Sequence, residues 1–194
     1  MSHDVHVPHV DVRIRPITDD DWGGIAELEA EVYGPLGLSE GRAVLESRAR
    51  ASPSTCFVLD CAGGPAGYLL TLPYPAFQSP DLAQPEEEPD LAAARPQEAA
   101  SPTTAPPPSG NLHLHDLVVA DGFRGRGLAR RLLRHLTTAA RAQTYERISL
   151  VAVAGSETFW AAQGYRAHRE IPLPGSYGTD AVYMSAAVPE GRRG

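Results

Sequence analysis

Apolar and polar positions alternate from Val10 to Ile17, with Val10, Val12, Ile14 and Pro16 opposing Asp11, Arg13, Arg15 and Ile17. That period predicts a strand. The period then becomes helical. Trp22, Ile25, Ala26, Leu28 and Glu29 recur on one side of a segment that Thr18 or Asp19 can cap and that Gly34-Pro35 ends after Tyr33. A second helix, capped by Ser39, runs to about Ala51 on the weaker repeat of Ala43, Val44 and Arg48. Cys56 to Cys61 and Ala66 to Leu72, joined by Ala62-Gly63-Gly64-Pro65, predict a hairpin. Further along, Leu112 to Val119 predicts a strand and Gly125 to Gln143 a strongly amphipathic helix. That helix gathers Leu128, Leu132, Leu133, Leu136, Ala139 and Ala140 on one side. Arg147 to Val153 is the next strand, and Ser156 caps a short helix to Gln163. Arg166 to Pro172 and Ala181 to Val188 close the pattern as a hairpin.

One stretch has no period. Residues 73–108 hold 10 of the chain's 18 prolines and no Val, Ile, Met or Trp. Such a segment sustains neither a ladder nor a core, so it reads as an extended insertion. Cutting it from 77 to 106 removes no predicted core residue. Its six acidic residues face a single Arg95, so most of the chain's net charge of −7 belongs to the insertion. The expected organisation is a flexible arm (1–9), one domain (10–189) interrupted at about 73–108, and a flexible tail (190–194). The arm's His3, His6 and His9 read as a mobile terminus rather than a metal site.

Composition removes several classes of chemistry. All 17 basic residues are arginine, so a phosphate-loop lysine or a Schiff-base lysine is excluded. Cys56 and Cys61 support neither a disulfide framework nor a four-cysteine zinc site, and no metal is expected. No apolar run reaches the ~18–20 residues of a membrane-crossing helix. Met1 to Val10 lacks a signal-peptide core, which makes a cytoplasmic location the default. An acidic chain predicts no nucleic-acid partner.

The chemistry concentrates where the strand Leu112 to Val119 runs through Asp121-Gly-Phe-Arg-Gly-Arg-Gly127 into the amphipathic helix. A helix start offers unpaired N–H groups and the positive end of the dipole. Gly125 and Gly127 let a phosphate approach the backbone, and Arg124, Arg126, Arg130 and Arg131 add charge. A dinucleotide fingerprint would need glycine where Arg130 stands, and Glu146 precedes the next strand instead of ending it. A plain turn with a solvated arginine face and a pyrophosphate loop remain as readings.

Arg124-Gly-Arg-Gly127-Leu-Ala129 resembles the Q/R-x-x-G-x-G/A motif of the GNAT superfamily of acyl-CoA-dependent N-acyltransferases. Ser156 to Tyr165 is similar to that family's helix ending in Leu-Tyr-x-x-x-Gly-Phe, and the element order agrees. The resemblance implies an α/β (α+β) fold: a mixed, mostly antiparallel sheet flanked by helices, with two parallel strands splayed apart. It implies acetyl-CoA as co-substrate, held by the backbone of Leu117, Val118 and Val119 and by Arg124, Gly125, Arg126, Gly127, Leu128 and Ala129. The acyl carbonyl would lie between Leu112 to Val119 and Arg147 to Val153.

An amine must lose a proton before it attacks a thioester, and histidine suits that task. His113 and His115 share one strand face, with Asp116 expected on the opposite one. The pair resembles the His-x-His of arylalkylamine N-acetyltransferases and by that resemblance is assigned to amine deprotonation. The alternative is that one or both are buried, hydrogen-bonded histidines. The family's tyrosine acid would fall at Trp160, and indole cannot act as an acid. Tyr177 and Tyr183 are the substitute hydroxyls, unless both only pack. Tyr33, Trp160 and Tyr177 are the expected acceptor-side residues, and His135 and His168 read as surface residues. The expected activity is acetyl transfer to a small-molecule primary amine in a ternary complex. Acetylation of a protein terminus or side chain, a different acyl donor and a non-catalytic acyl-CoA-binding module stay open, as does a homodimer.

Overall fold

The computed structural model describes residues 11–61, 63–82 and 110–190. The expected arm, the part of the insertion from residue 83 to 108, and residues 191–194 of the expected tail lie outside them. The described residues form one seven-stranded sheet of order β1-β2-β3-β4-β5-β7-β6. Its strands are β1 (Arg13–Pro16), β2 (Phe57–Cys61), β3 (Gly64–Pro73), β4 (Asn111–Val119), β5 (Arg147–Ala152), β6 (Arg166–Ala167) and β7 (Val182–Ala187). Every neighbouring pair is antiparallel except β4–β5. The mixed sheet with one parallel pair is the expected fold.

Helices cover both faces. On one, α3 (Leu128–Ala142) buries Leu128, Leu132, Leu133, Leu136 and Ala140 against Leu112, Leu114, Ile148 and Leu150. The i, i+4, i+8 spacing that puts those leucines in one stripe also leaves its arginines in solvent. On the other face, α1 (Trp22–Tyr33) and α2 (Arg42–Ala51) bury Trp22, Ile25, Leu45 and Ala49 against Tyr68, Leu70 and Val118. Helix α4 (Glu157–Ala162) adds Trp160 to the first face.

Two features of β4 set up the site. Its parallel pairing with β5 stops at Leu114↔Leu150, although β4 continues to Val119, so the strands part there. Its register with β3 slips as well: Thr71 faces Leu114 and Leu70 faces Asp116, leaving His115 with no partner of its own. This β-bulge breaks the period-two rule. Before it, Leu112 and Leu114 face α3; after it, Val118 faces α1 and α2. Behind that end of the strand, Gly67 allows close approach, since a Cβ there would lie 2.5 Å from the Val118 carbonyl oxygen.

Several element readings need correction. Ser39 does not cap α2: its hydroxyl donates to Glu29 (2.7 Å), and Gly41, at φ 82°, precedes the helix. Helix α3 starts at Leu128, not Gly125. The run Arg166 to Pro172 shortens to Arg166–Ala167, because the chain turns after it, the Ile171 N–H donating to the His168 carbonyl (3.2 Å). The insertion does not begin loosely at residue 73. Pro73 closes β3, Pro80 is buried, and the half-exposed Phe77 ring lies edge-on to His168. Its prolines still exclude a strand there, but one aromatic ring and a few hydrogen bonds suffice to dock a short leg.

Candidate functional site

The parting of β4 and β5 opens a groove of about 540 Å³ along the sheet, lined by Leu117, Val118 and Val119 on one wall and Val151, Val153 and Ala154 on the other. Tyr33, Phe159 and Trp160 also line it. Trp160 stacks edge-on against Phe159 and Tyr165 (5.0 and 5.4 Å between centroids), so its ring serves as an apolar wall.

At one end the groove meets a second hollow, of about 300 Å³, formed by Arg124, Gly125, Gly127, Leu128, Ala129 and Arg130. Among the described residues, no acceptor receives the N–H groups of Gly125 to Arg130. Gly125 and Gly127 sit at φ 75° and 73°, a conformation that glycine alone adopts cheaply. A Cβ at Gly127 would meet nothing in the protein within 4 Å. Arg124 is partly committed, since its Nε donates to the Val119 carbonyl (3.1 Å) and it pairs with Asp121 (2.8 Å). Arg126 lies over Phe123, 5.6 Å from the ring centre. Leu128 contributes only its amide, because its side chain is in the core. Free amides at a helix start, an open cradle and exposed arginines fit the pyrophosphate of an acyl-CoA.

The other end holds the titratable groups. The bulge turns both His115 and Asp116 into a small pocket of about 40 Å³ that Tyr33, Leu38, Glu40, Leu82 and Tyr177 complete. Asp116 therefore does not face away from the histidines. The His115 Nε2–H donates to Glu40 Oε1, and both side chains are almost fully buried. Arg48, buried in α2, holds the other Glu40 oxygen at 2.5 Å. Glu29 of α1 fixes the loop by accepting from Ser39 Oγ and the Glu40 N–H, each at 2.7 Å. Burial pushes the Glu40 carboxyl up, but His115 and Arg48 outweigh it and hold the group below its usual range. Burial raises Asp116, with Glu40 and Glu29 adding to the effect and His115 opposing it. Tyr68 donates to Asp116 at 3.2 Å. Burial likewise raises Tyr177, whose hydroxyl has no hydrogen-bond partner among the described residues.

The two histidines part company here. His113 lines neither the groove nor the small pocket. It is 1% exposed. Asn111 Nδ2 donates to Ser149 Oγ (2.9 Å), which leaves the Ser149 hydroxyl to donate to His113 Nδ1 (3.1 Å). Burial, then the nearby His115 and Arg48, push its pKa well below the ordinary value. The unfolded chain takes up a proton near pH ~6.5 that the native chain refuses. Stability from this group is complete above that pH and declines on acidification, approaching ~1.4 kcal/mol per pH unit. His113→Gln keeps a hydrogen-bonding group and cannot titrate. Between about pH 7 and 5.5 its unfolding free energy is expected to fall by about 1 kcal/mol less than that of the wild type. Parallel stability curves for the two proteins in urea would show that His113 is not buried neutral.

His168 is not a surface residue: its Nε2 lies 2.9 Å from Ser185 Oγ and its ring packs on Phe77 and Tyr183. His135 is exposed, with its ring edge-on to Phe57. Glu40 and Arg48 are the site residues that the sequence did not reveal as such. Glu40 lies 75 positions from its histidine, and no local pattern marks it. No group of histidines, cysteines and carboxylates able to hold a metal occurs among the described residues. No helix among them is long and apolar enough to cross a membrane.

A glycine cradle at a helix start, opening into a groove between splayed parallel strands, defines an acyl-CoA acyltransferase fold. The chain belongs to the acetyltransferase (GNAT) family, whose model matches residues 22–165. No curated protein matches it. Solved structures share the fold at low identity. Ard1 from Thermoplasma volcanium is 16% identical (TM-score 0.64), over 93% of this chain and all of that one. N-acetylglutamate synthase from Neisseria gonorrhoeae, solved with coenzyme A and N-acetyl-glutamate, is 16% identical (TM-score 0.66). There the match covers 93% of this chain but only 36% of the synthase. The N-acetyltransferase YhbS from Escherichia coli, solved with CoA, is 14% identical (TM-score 0.60), over 94% of this chain and 84% of that one.

Proposed function

We propose that this chain transfers an acetyl group from acetyl-CoA to a primary amine of a small molecule, by direct attack in a ternary complex. The observation that carries the reading is His115, hydrogen-bonded to a carboxylate at the point where the groove meets the small pocket. Acetyl-CoA supplies the thioester that an uncharged amine can attack. The amides of Gly125 to Ala129 and the neighbouring arginines hold its pyrophosphate, and the free edge of Leu117 to Val119 its pantetheine amides.

The Nε2–H of His115 is committed to Glu40, so in the neutral ring Nδ1 is the nitrogen that takes the amine's proton. Glu40, held ionised by His115 and Arg48, fixes that tautomer. His113 has a different role: buried and reluctant to take a proton, it positions β4 through Ser149. Trp160 shapes the groove without supplying an acid, and a CoA thiolate is a fair leaving group without one. Glu40 and Asp116 favour a cationic amine at the pocket over an anionic acceptor. Thiol release from acetyl-CoA, followed across a panel of primary amines, tests the reading. Amine-dependent thiol release with a matching N-acetyl product is expected. Thiol release that no amine accelerates would overturn it.

A further inference from the structure

The small pocket is closed by a part of the chain that builds no strand or helix. Leaving β3, the chain docks at two points. Phe77, at φ 63°, donates its N–H to the buried Tyr183 hydroxyl (2.9 Å). Its ring lies 5.0 Å from the Arg147 guanidinium and edge-on to His168. Five residues on, the Leu82 N–H donates to Ser176 Oγ (3.2 Å), and the Ser176 hydroxyl donates to Asp81 Oδ1 (2.6 Å). Ser176 immediately precedes Tyr177, so one side chain ties together Leu82 and Tyr177, two residues that line the pocket with His115.

That pocket has room for one or two water-sized groups, which an aminomethyl group fills. A branch on the carbon that carries nitrogen would need space that the walls of so small a pocket, Leu82 and the Tyr177 ring among them, already fill. The Tyr177 hydroxyl is buried without a partner, a costly state unless a ligand supplies one. Its oxygen can accept an amine N–H. Resting on the amine-acetyltransferase reading, we propose that the latch of Ser176 on Asp81 and Leu82 makes Leu82 and Tyr177 the specificity-determining residues of the acceptor pocket. They select amines on an unbranched CH₂ against amines branched at that carbon, a group that includes most polypeptide amino termini.

The test compares n-butylamine with sec-butylamine, isomers that differ in whether the carbon bearing nitrogen is branched, using CoA thiol release. In the wild type, n-butylamine is expected to lead by about 10–200-fold in kcat/KM, the usual discrimination for one misfitting methylene. Leu82→Ala should shrink that ratio at least about tenfold by accelerating sec-butylamine. Ser176→Ala, which frees the latch but leaves both wall residues in place, should act in the same direction by less. Tyr177→Phe should raise KM for n-butylamine with kcat little changed. Acetyl-CoA affinity by calorimetry and the melting curve report whether each variant is folded. An unchanged ratio in both folded latch variants, or a wild type indifferent to branching, overturns the latch and leaves the amine reading standing. If no amine of the panel, n-butylamine and sec-butylamine included, is turned over or bound to the CoA-loaded protein by saturation-transfer NMR, the amine reading falls and the latch with it.

Discussion

Gly127→Glu is expected to lower CoA affinity by at least about 100-fold, equivalent to roughly 2.8 kcal/mol. Three effects converge. The residue at the start of α3 sits at φ 73°, where a side chain is strained by roughly 1–2 kcal/mol. Its Cβ would project into open space, so the side chain would occupy the cradle without displacing protein. Its carboxylate would stand among amides and arginines arranged for an anion, competing with the pyrophosphate for them. The strain predicts a melting temperature a few degrees lower, with cooperative unfolding retained. Gly127→Ala separates the terms: it carries the strain without the charge and is expected to lose about tenfold, or ~1.4 kcal/mol. Wild-type-like affinity of a folded Gly127→Glu protein, by calorimetry, would remove the cradle from the ligand.

The legible part of this fold is the part set by period. The leucine stripe of α3, the strand at β1 and the apolar runs of β2, β5 and β7 appear in the structure within a few residues of where the sequence predicts them. The glycine loop was legible too, because its demands are local: positive φ at two glycines and amides left over at a helix start. Elements fixed by distant contacts were not. Nothing near Phe77 announces that Tyr183, more than a hundred residues on, will take its N–H. A proline-rich stretch therefore read as loose even where it is docked.

The acceptor end was half legible for the same reason. Two histidines at i and i+2 could be found, and their rings do lie on one side, 6.5 Å apart. Period alone could not tell that His115 is the residue bulged out of β4, nor that the bulge swings Asp116 to the histidines' side. Nor could it tell them apart chemically. His113 ends in a buried network with Ser149 and Asn111, whereas His115 meets Glu40 from the loop before α2. That difference comes from what packs on the strand, which no spacing within the strand encodes.

The separation of the two histidines yields the second large expected effect. His115→Phe should slow the acyl-transfer step by about 10²–10⁴-fold, the usual worth of a positioned base, while acetyl-CoA affinity stays within about twofold of wild type. His113→Gln should cost far less, since a buried imidazole that resists protonation is a poor proton acceptor. Glu40→Gln keeps a hydrogen-bonding partner for His115 but replaces a charge-assisted hydrogen bond with a neutral one, so an intermediate loss is expected. Arg48 would then lose its ion pair with Glu40, so that variant needs its melting curve alongside. The pH profile separates a base from a packing residue. Without His115 only amine already uncharged in solution reacts, so log kcat/KM should climb about one unit per pH unit toward the amine's own pKa, near ~10. The wild type should climb less steeply, because its bound ammonium can be deprotonated in place. Single-turnover rates and pH profiles of His115→Phe that match the wild type would reduce His115 to a packing residue. The proton would then have to leave through water or through one of the two carboxyl groups in that pocket, Glu40 and Asp116.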